Sequence, residues 1–293
     1  MLVSTSVGHF KKEKHTIVLN GKLIDLSTPK VMGILNVGPD SFYDGGLYFN
    51  EETIASHVHK MISDGVDIID IGAVSTRPEA EQASCKEELK RLLPAVILVR
   101  KLYPEIPISI DTYRSWVAQR VVDEIGEVII NDISGGMFDE NMFTTIAKLG
   151  VPYILMHIAG KDNEHIHETP KYTDIIKDVT KFFSDKVRKL HKLGVKDVIL
   201  DPGFGFGKTL DDNYKLLNQL DAFKVFQLPL LAGISRKSML YRMLDITPEE
   251  SLPASISVNT LALMGGVKIL RVHDVKEAVH CVKIFNKLKT LKQ

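Results

Sequence analysis

The chain has 293 residues, 44% of them hydrophobic and 25% charged, a composition that excludes disordered and fibrous classes and suits a folded globular domain. Lysine plus arginine equals aspartate plus glutamate at 37 each, so no net field draws nucleic acid or an anionic membrane, and any anionic ligand must be held by locally placed cations. Two cysteines, Cys85 and Cys281, are too few for a disulfide framework and lack metal-ligand spacing; they suit a reducing cytosol, with both expected in core packing.

In chain order, the first 15 residues hold no apolar run like a signal-peptide core, and no 18-residue apolar stretch occurs anywhere. A cytoplasmic protein with no membrane contact is expected. Residues 16–26, TIVLNGKLIDL, set two short apolar runs around Asn20-Gly21 and predict a β-hairpin. Apolar strands then alternate with amphipathic helices. The predicted strands are 30–36, 66–72, 106–111, 127–132, 152–157, 197–201, 229–235 and 267–272. Most are nearly continuous apolar runs, as parallel strands covered on both faces require. Between them, 51–64 and 172–193 carry helical period, and Ser84 with Glu87 forms a capping box. The last helix, 275–289, sets Val275, Val279, Val282 and Phe285 on one side. Eight strands, each followed by a helix, predict a closed (β/α)8 TIM barrel in place of an open doubly wound sheet. No linker, repeat or low-complexity tract interrupts the pattern, so a single domain is expected, with the hairpin at about 16–26 and the barrel at about 30–290. The polar stretch 159–173 is irregular, and its His165 and His167 read as solvated side chains, not metal ligands.

Sites in such barrels are built from loops at the carboxyl ends of the strands. There the sequence places Asn36, Ser75-Thr76-Arg77, Asp111, Asn131-Asp132, His157, Asp201, Ser235-Arg236-Lys237, Arg271 and His273. Helix capping explains any one of these but not polar endings after eight successive apolar strands. Asp111, Asn131 and Asp201 offer acceptors and an amide, suited to a flat heterocycle with several N–H groups. Arg77, Arg236, Lys237, Arg271 and His273 offer donors for phosphate oxygens, and strands seven and eight are where barrels often hold phosphate. A nitrogen heterocycle bearing a phosphate or diphosphate is the ligand class implied. The segment 201–209, DPGFGFGKT, is not a nucleotide loop: Pro202 stands where a Walker motif needs glycine, and no glycine follows Gly205 three residues on.

GILNVGPDSFYDGG (33–46), STRP (75–78), ISIDT (108–112), INDISGG (130–136), DPGFGFGK (201–208), GISRKS (233–238) and RVHDV (271–275) together resemble the dihydropteroate synthases, from about Lys30 to the carboxyl terminus. The resemblance implies a barrel enzyme, usually a homodimer, that uses Mg2+ and joins 6-hydroxymethyl-7,8-dihydropterin diphosphate to p-aminobenzoate in folate synthesis, with sulfonamides as expected inhibitors. It further implies that Asp111, Asn131, Asp201 and Lys237 bind the pterin, and that Asn36, Thr76, Arg77, Arg271 and His273 bind the diphosphate. Asn36 matches the Mg2+ ligand. Phe42, Arg77, Pro78, Phe206, Lys237 and Ser238 match the p-aminobenzoate pocket. Asp44, Arg77, Asp111, Asp201 and Lys237 form the implied catalytic set, and 40–46 and 75–78 match two closing loops. The chain departs from the family pattern at Gly38, at Ala73-Val74 and at MHIAG (156–160). Two alternatives share the ring site: a pterin-binding methyltransferase, which does not need STRP, SRKS and RVH together, and a non-catalytic pterin-binding paralogue.

Overall fold

The computed structural model describes residues 16–38, 43–44, 48–73, 83–160 and 169–291. Strands Thr16–Leu19 (β1) and Lys22–Asp25 (β2) pair antiparallel, with Leu19 opposite Lys22. Asn20 and Gly21 between them have φ of 51° and 68°, the two left-handed residues that a tight hairpin turn of matching twist demands.

The barrel strands are Lys30–Asn36 (β3), Ile68–Gly72 (β6), Ile108–Asp111 (β7), Ile129–Asp132 (β8), Tyr153–Met156 (β9), Val198–Asp201 (β10), Leu231–Ala232 (β11) and Ile269–Val272 (β12). A small antiparallel pair, Tyr43–Asp44 (β4) and Tyr48–Phe49 (β5), follows β3. The eight-stranded sheet runs β10-β9-β8-β7-β6-β3-β12-β11, with every neighbour parallel. A bridge between Leu200 and Leu230 brings its two edges together, with Leu200 N–H donating to Pro229 at 2.9 Å. The seventh barrel strand, β11, has two residues where seven were predicted. Pro229 has no N–H for the ladder, and residues 233–237 leave the sheet for the rim.

The surrounding helices are Glu51–Asp64 (α1), Cys85–Leu102 (α2), Ser115–Ile125 (α3), Met142–Leu149 (α4), Ile175–Lys192 (α5), Leu210–Asn218 (α6), Ser238–Leu244 (α7), Leu252–Gly265 (α8) and Val275–Thr290 (α9). The capping box opening α2 is present in both halves, Glu87 N–H to Ser84 and Ser84 N–H to Glu87. Cys281 is buried in α9 as expected, but Cys85 is exposed: it is the first residue of α2, turned outward. No described helix is long and apolar enough to cross a membrane.

Alternation along each strand divides the core in two. Ile69, Ile71, Ile108, Ile110, Ile130 and Leu270 point outward to the helices. Met32, Ile68, Ile129, Ile154, Ile199, Leu231 and Ile269 point inward and form one apolar layer with Ile17, Leu19 and Leu26 of the hairpin segment. The hairpin therefore closes the amino-terminal end of the barrel, tied there by Val18 N–H to Asp197 (3.1 Å) and Asn20 N–H to Glu127. Two residues further along the same strands, the inward positions become Asp70, Asn131, Asp201 and Arg271. The interior changes from apolar to polar within one layer, and that change positions the site.

Candidate active site

Arg271 on β12 is the centre of the polar layer. Its Nε donates to Asp70 Oδ2 and its Nη2 to Asp111 Oδ2, each at 2.7 Å, while Asn131 Nδ2 donates to the same Asp70 oxygen at 3.1 Å. Asp70 is fully buried, and its Oδ1 has no partner among the described residues. Asp70 was not among the residues picked from the sequence, because it lies inside β6 and not at its end. The signal was there: IIDIG is a buried run with one aspartate on the inward phase.

Burial pushes Asp111 up to about 7, Arg271 opposing the shift and the Asp70 carboxylate adding to it. Although burial works against its charge, Arg271 is held above its ordinary range by Asp70 and Asp111. Acceptors and donors that the sequence divides between a ring end and a phosphate end are thus interleaved, with Asp111 and Arg271 in direct contact.

Asp201, also raised by burial, accepts Gly203 N–H at 2.7 Å, and the charges of Lys237 and Arg271 act against the rise. Lys237, lowered to about 8 by burial and then by Arg271, sets its Nζ 4.0 Å from the centre of the Phe206 ring. Phe206 belongs to an apolar cluster with Tyr113, Ile133, Met156 and Ile158. Ile158 and buried Ala73 are two of the family departures, and both serve as packing. His273 meets the hydroxyl of Ser235 through Nδ1 and through its backbone N–H, each at 3.3 Å. Burial, then Arg271 and Arg236, lowers His273 to about 4. Ser238 opens α7 beside Lys237, and Asn36 is exposed at the end of β3.

Three rim residues turn elsewhere. Arg236 makes two bonds to Asp274 (3.0 and 2.6 Å), which tie the loop after β11 to the loop after β12. Asp132 accepts Ser134 N–H and O–H, Gly136 N–H and Tyr153 O–H, so it shapes its own loop. His157 packs edge-on against Phe182, centroids 5.0 Å apart. Phe42, Thr76, Arg77 and Pro78 lie outside the described residues, as do His165 and His167; Asp44 is placed by its backbone alone. Sequence reasoning also passed over Lys208, whose buried ammonium donates to the carbonyls of Gly203, Phe206 and His157.

Among the described residues no group of three or more His, Cys, Asp or Glu is placed to hold a metal. That donor set does not form a protein cage for a cation. It does fit Mg2+, which keeps several waters and takes one or two protein oxygens together with substrate phosphates. The exposed amide of Asn36 at the rim offers one such oxygen.

The family model described as pterin binding enzyme matches residues 32–273. The chain is 41% identical over 266 residues to dihydropteroate synthase of Escherichia coli K12, covering 90% of this chain and 93% of that one. A crystal structure of Yersinia pestis dihydropteroate synthase with a sulfonamide drug complex superposes with a TM-score of 0.86 at 38% identity, covering 94% and 99%. That of Xanthomonas albilineans dihydropteroate synthase with 4-aminobenzoic acid gives 0.86 at 32%, covering 94% and 98%.

Proposed function

The chain belongs to the pterin binding enzyme family, among its dihydropteroate synthases, and on that premise we propose that it joins 6-hydroxymethyl-7,8-dihydropterin diphosphate to p-aminobenzoate. The observation that carries this reading is the polar layer above the apolar plug, where Asp201, Asn131, Asp111 and Arg271 converge from four strands. In the reaction the amine nitrogen bonds to the pterin methylene carbon, the carbon–oxygen bond to diphosphate breaks, and the amine loses one proton.

An aromatic amine is neutral and a weak nucleophile, so the work of the site is to help diphosphate leave. Arg271 and His273 donate to its oxygens as charge gathers there. Asn36 would hold Mg2+, which neutralises diphosphate charge when bound. Asp111 and Asp201 stabilise positive charge on the pterin at close range and accept its N–H groups. Lys237 reaches the ring from the side of Phe206, which with Ser238, Phe42, Arg77 and Pro78 shapes the p-aminobenzoate pocket. By the family resemblance Thr76 and Arg77 add diphosphate contacts, Asp44 joins the catalytic set, and segments 40–46 and 75–78 close to keep water from the reacting carbon.

The same reading makes the chain a single-domain cytosolic homodimer inhibited by sulfonamides. It is supported by two cysteines suited to a reducing compartment and by Leu261 and Met264, which leave α8 with an exposed apolar face. A coupled assay for diphosphate release tests the reaction. Release should require both Mg2+ and p-aminobenzoate and yield dihydropteroate; no release with both substrates present would overturn it.

A further inference from the structure

The chemistry above makes no use of Lys208, which closes the glycine-rich turn after β10. Its Nζ is buried and donates to Gly203 O at 2.8 Å, Phe206 O at 3.0 Å and His157 O at 3.3 Å. An ammonium has three N–H donors and no acceptor, so three carbonyls saturate it. Among the described residues no carboxylate forms an ion pair with it: Asp212 accepts from Thr209, Asp201 accepts Gly203 N–H, and their charges act on Lys208 only through space. A lysine spent wholly on backbone carbonyls in a buried place acts on the path of the chain.

The three carbonyls lie at points that matter to the site. His157 ends β9. Gly203, with φ of 72°, gives its N–H to Asp201, and a Cβ there would lie 2.0 Å from His157 O. Phe206 carries the ring that faces Lys237. Asn213 of α6 holds the outer side of the turn, accepting Gly205 N–H at 2.7 Å. Asp201 stands in a strand whose ladder pairs it with Met156, so its backbone is placed without the lysine. Phe206 stands mid-turn, outside any strand.

We propose that Lys208 is a positioning residue that fixes the Phe206 carbonyl, so that the Phe206 ring backs Lys237 and walls the p-aminobenzoate pocket. The assignment rests on the reaction proposed above.

Lys208→Met keeps the apolar stem and removes all three donors. Two titrations read its effect: p-aminobenzoate into protein holding Mg2+ and inorganic diphosphate, and 6-hydroxymethylpterin into the same protein. The variant should lose about tenfold or more in p-aminobenzoate affinity, as unsatisfied buried carbonyls move the turn, and less than about threefold for the pterin. Phe206→Leu should absorb that effect. In its background Lys208→Met should cost less than a further factor of about two, because residues acting through one contact are not additive. Equal losses for both ligands, independent effects in the double variant, or no p-aminobenzoate binding by the native chain would each overturn the proposal. If Lys208→Met does not fold, Lys208→Gln, with two donors for three carbonyls, is read by the same split. These are binding measurements. A native chain that binds both ligands and releases no diphosphate would therefore overturn the reaction, leaving the split to decide Lys208.

Discussion

His273 shows how one residue's surroundings set its chemistry. Burial, reinforced by Arg271 and Arg236, lowers it to about 4 from its ordinary 6.5, so the free site holds it neutral at pH 7. A diphosphate beside it would favour the charged imidazole and raise that pKa, so binding takes up a proton and strengthens as pH falls through the bound value. Calorimetry in buffers of different ionisation enthalpy should show more proton uptake on diphosphate binding by the native chain than by His273→Gln. The ligand's own titration is common to both, and equal uptake would remove His273 from the diphosphate site. In the unliganded fold the sign is opposite. His273's contribution to stability is present above 6.5 and lost as pH falls toward about 4. Asp111, raised to about 7 by burial, contributes below its ordinary 3.8 and loses that contribution as pH rises through 7. The two slopes oppose each other in the acid range, so neither is visible alone in a melting curve; His273→Gln should expose the fall due to Asp111 between about pH 4 and 7.

At the scale of the element, the turn after β10 illustrates why a local motif is unreadable until its neighbour is known. Gly203 and Gly21 share nearly the same left-handed φ, 72° and 68°. A Cβ on Gly21 meets nothing within 4 Å, whereas one on Gly203 would meet the His157 carbonyl at 2.0 Å. Gly21→Ala should therefore cost only the backbone penalty, about 1–2 kcal/mol in denaturant unfolding. Gly203→Ala should cost more than that, and should also weaken pterin binding, because its N–H orients Asp201. Equal midpoint shifts for the two variants would show that the turn yields to the added methyl.

At the scale of the whole molecule, the barrel is a tube with an apolar floor and a polar roof. Leu19 and Ile17 enter the floor from outside the eightfold repeat and pack with an inward residue from each of seven strands. Leu19→Ala should destabilise the fold by about 2–5 kcal/mol, as large-to-small changes in packed cores do. The site sits at the opposite end, so pterin affinity of the folded variant should be unchanged. Loss of affinity in a fully folded Leu19→Ala protein would show that floor and roof are mechanically coupled.

The sequence by itself determined the succession of elements, because apolar runs, alternation and caps are local properties: β3 and α1 span the predicted residues, and the other barrel strands lie within theirs. It also determined the chemical kinds of residue at the strand ends, and by resemblance the family. What only the tertiary structure decided is pairing. Arg271 meets Asp70 and Asp111 across sequence separations of 201 and 160 residues. The meeting depends on strand register and on closure at Leu200 and Leu230, which no local pattern encodes. Lys208 was missed for the same reason: its partners are backbone carbonyls, and one of them, His157, lies 51 residues away. Backbone carbonyls look alike in every sequence, so the place where three of them gather is visible only once the chain has folded.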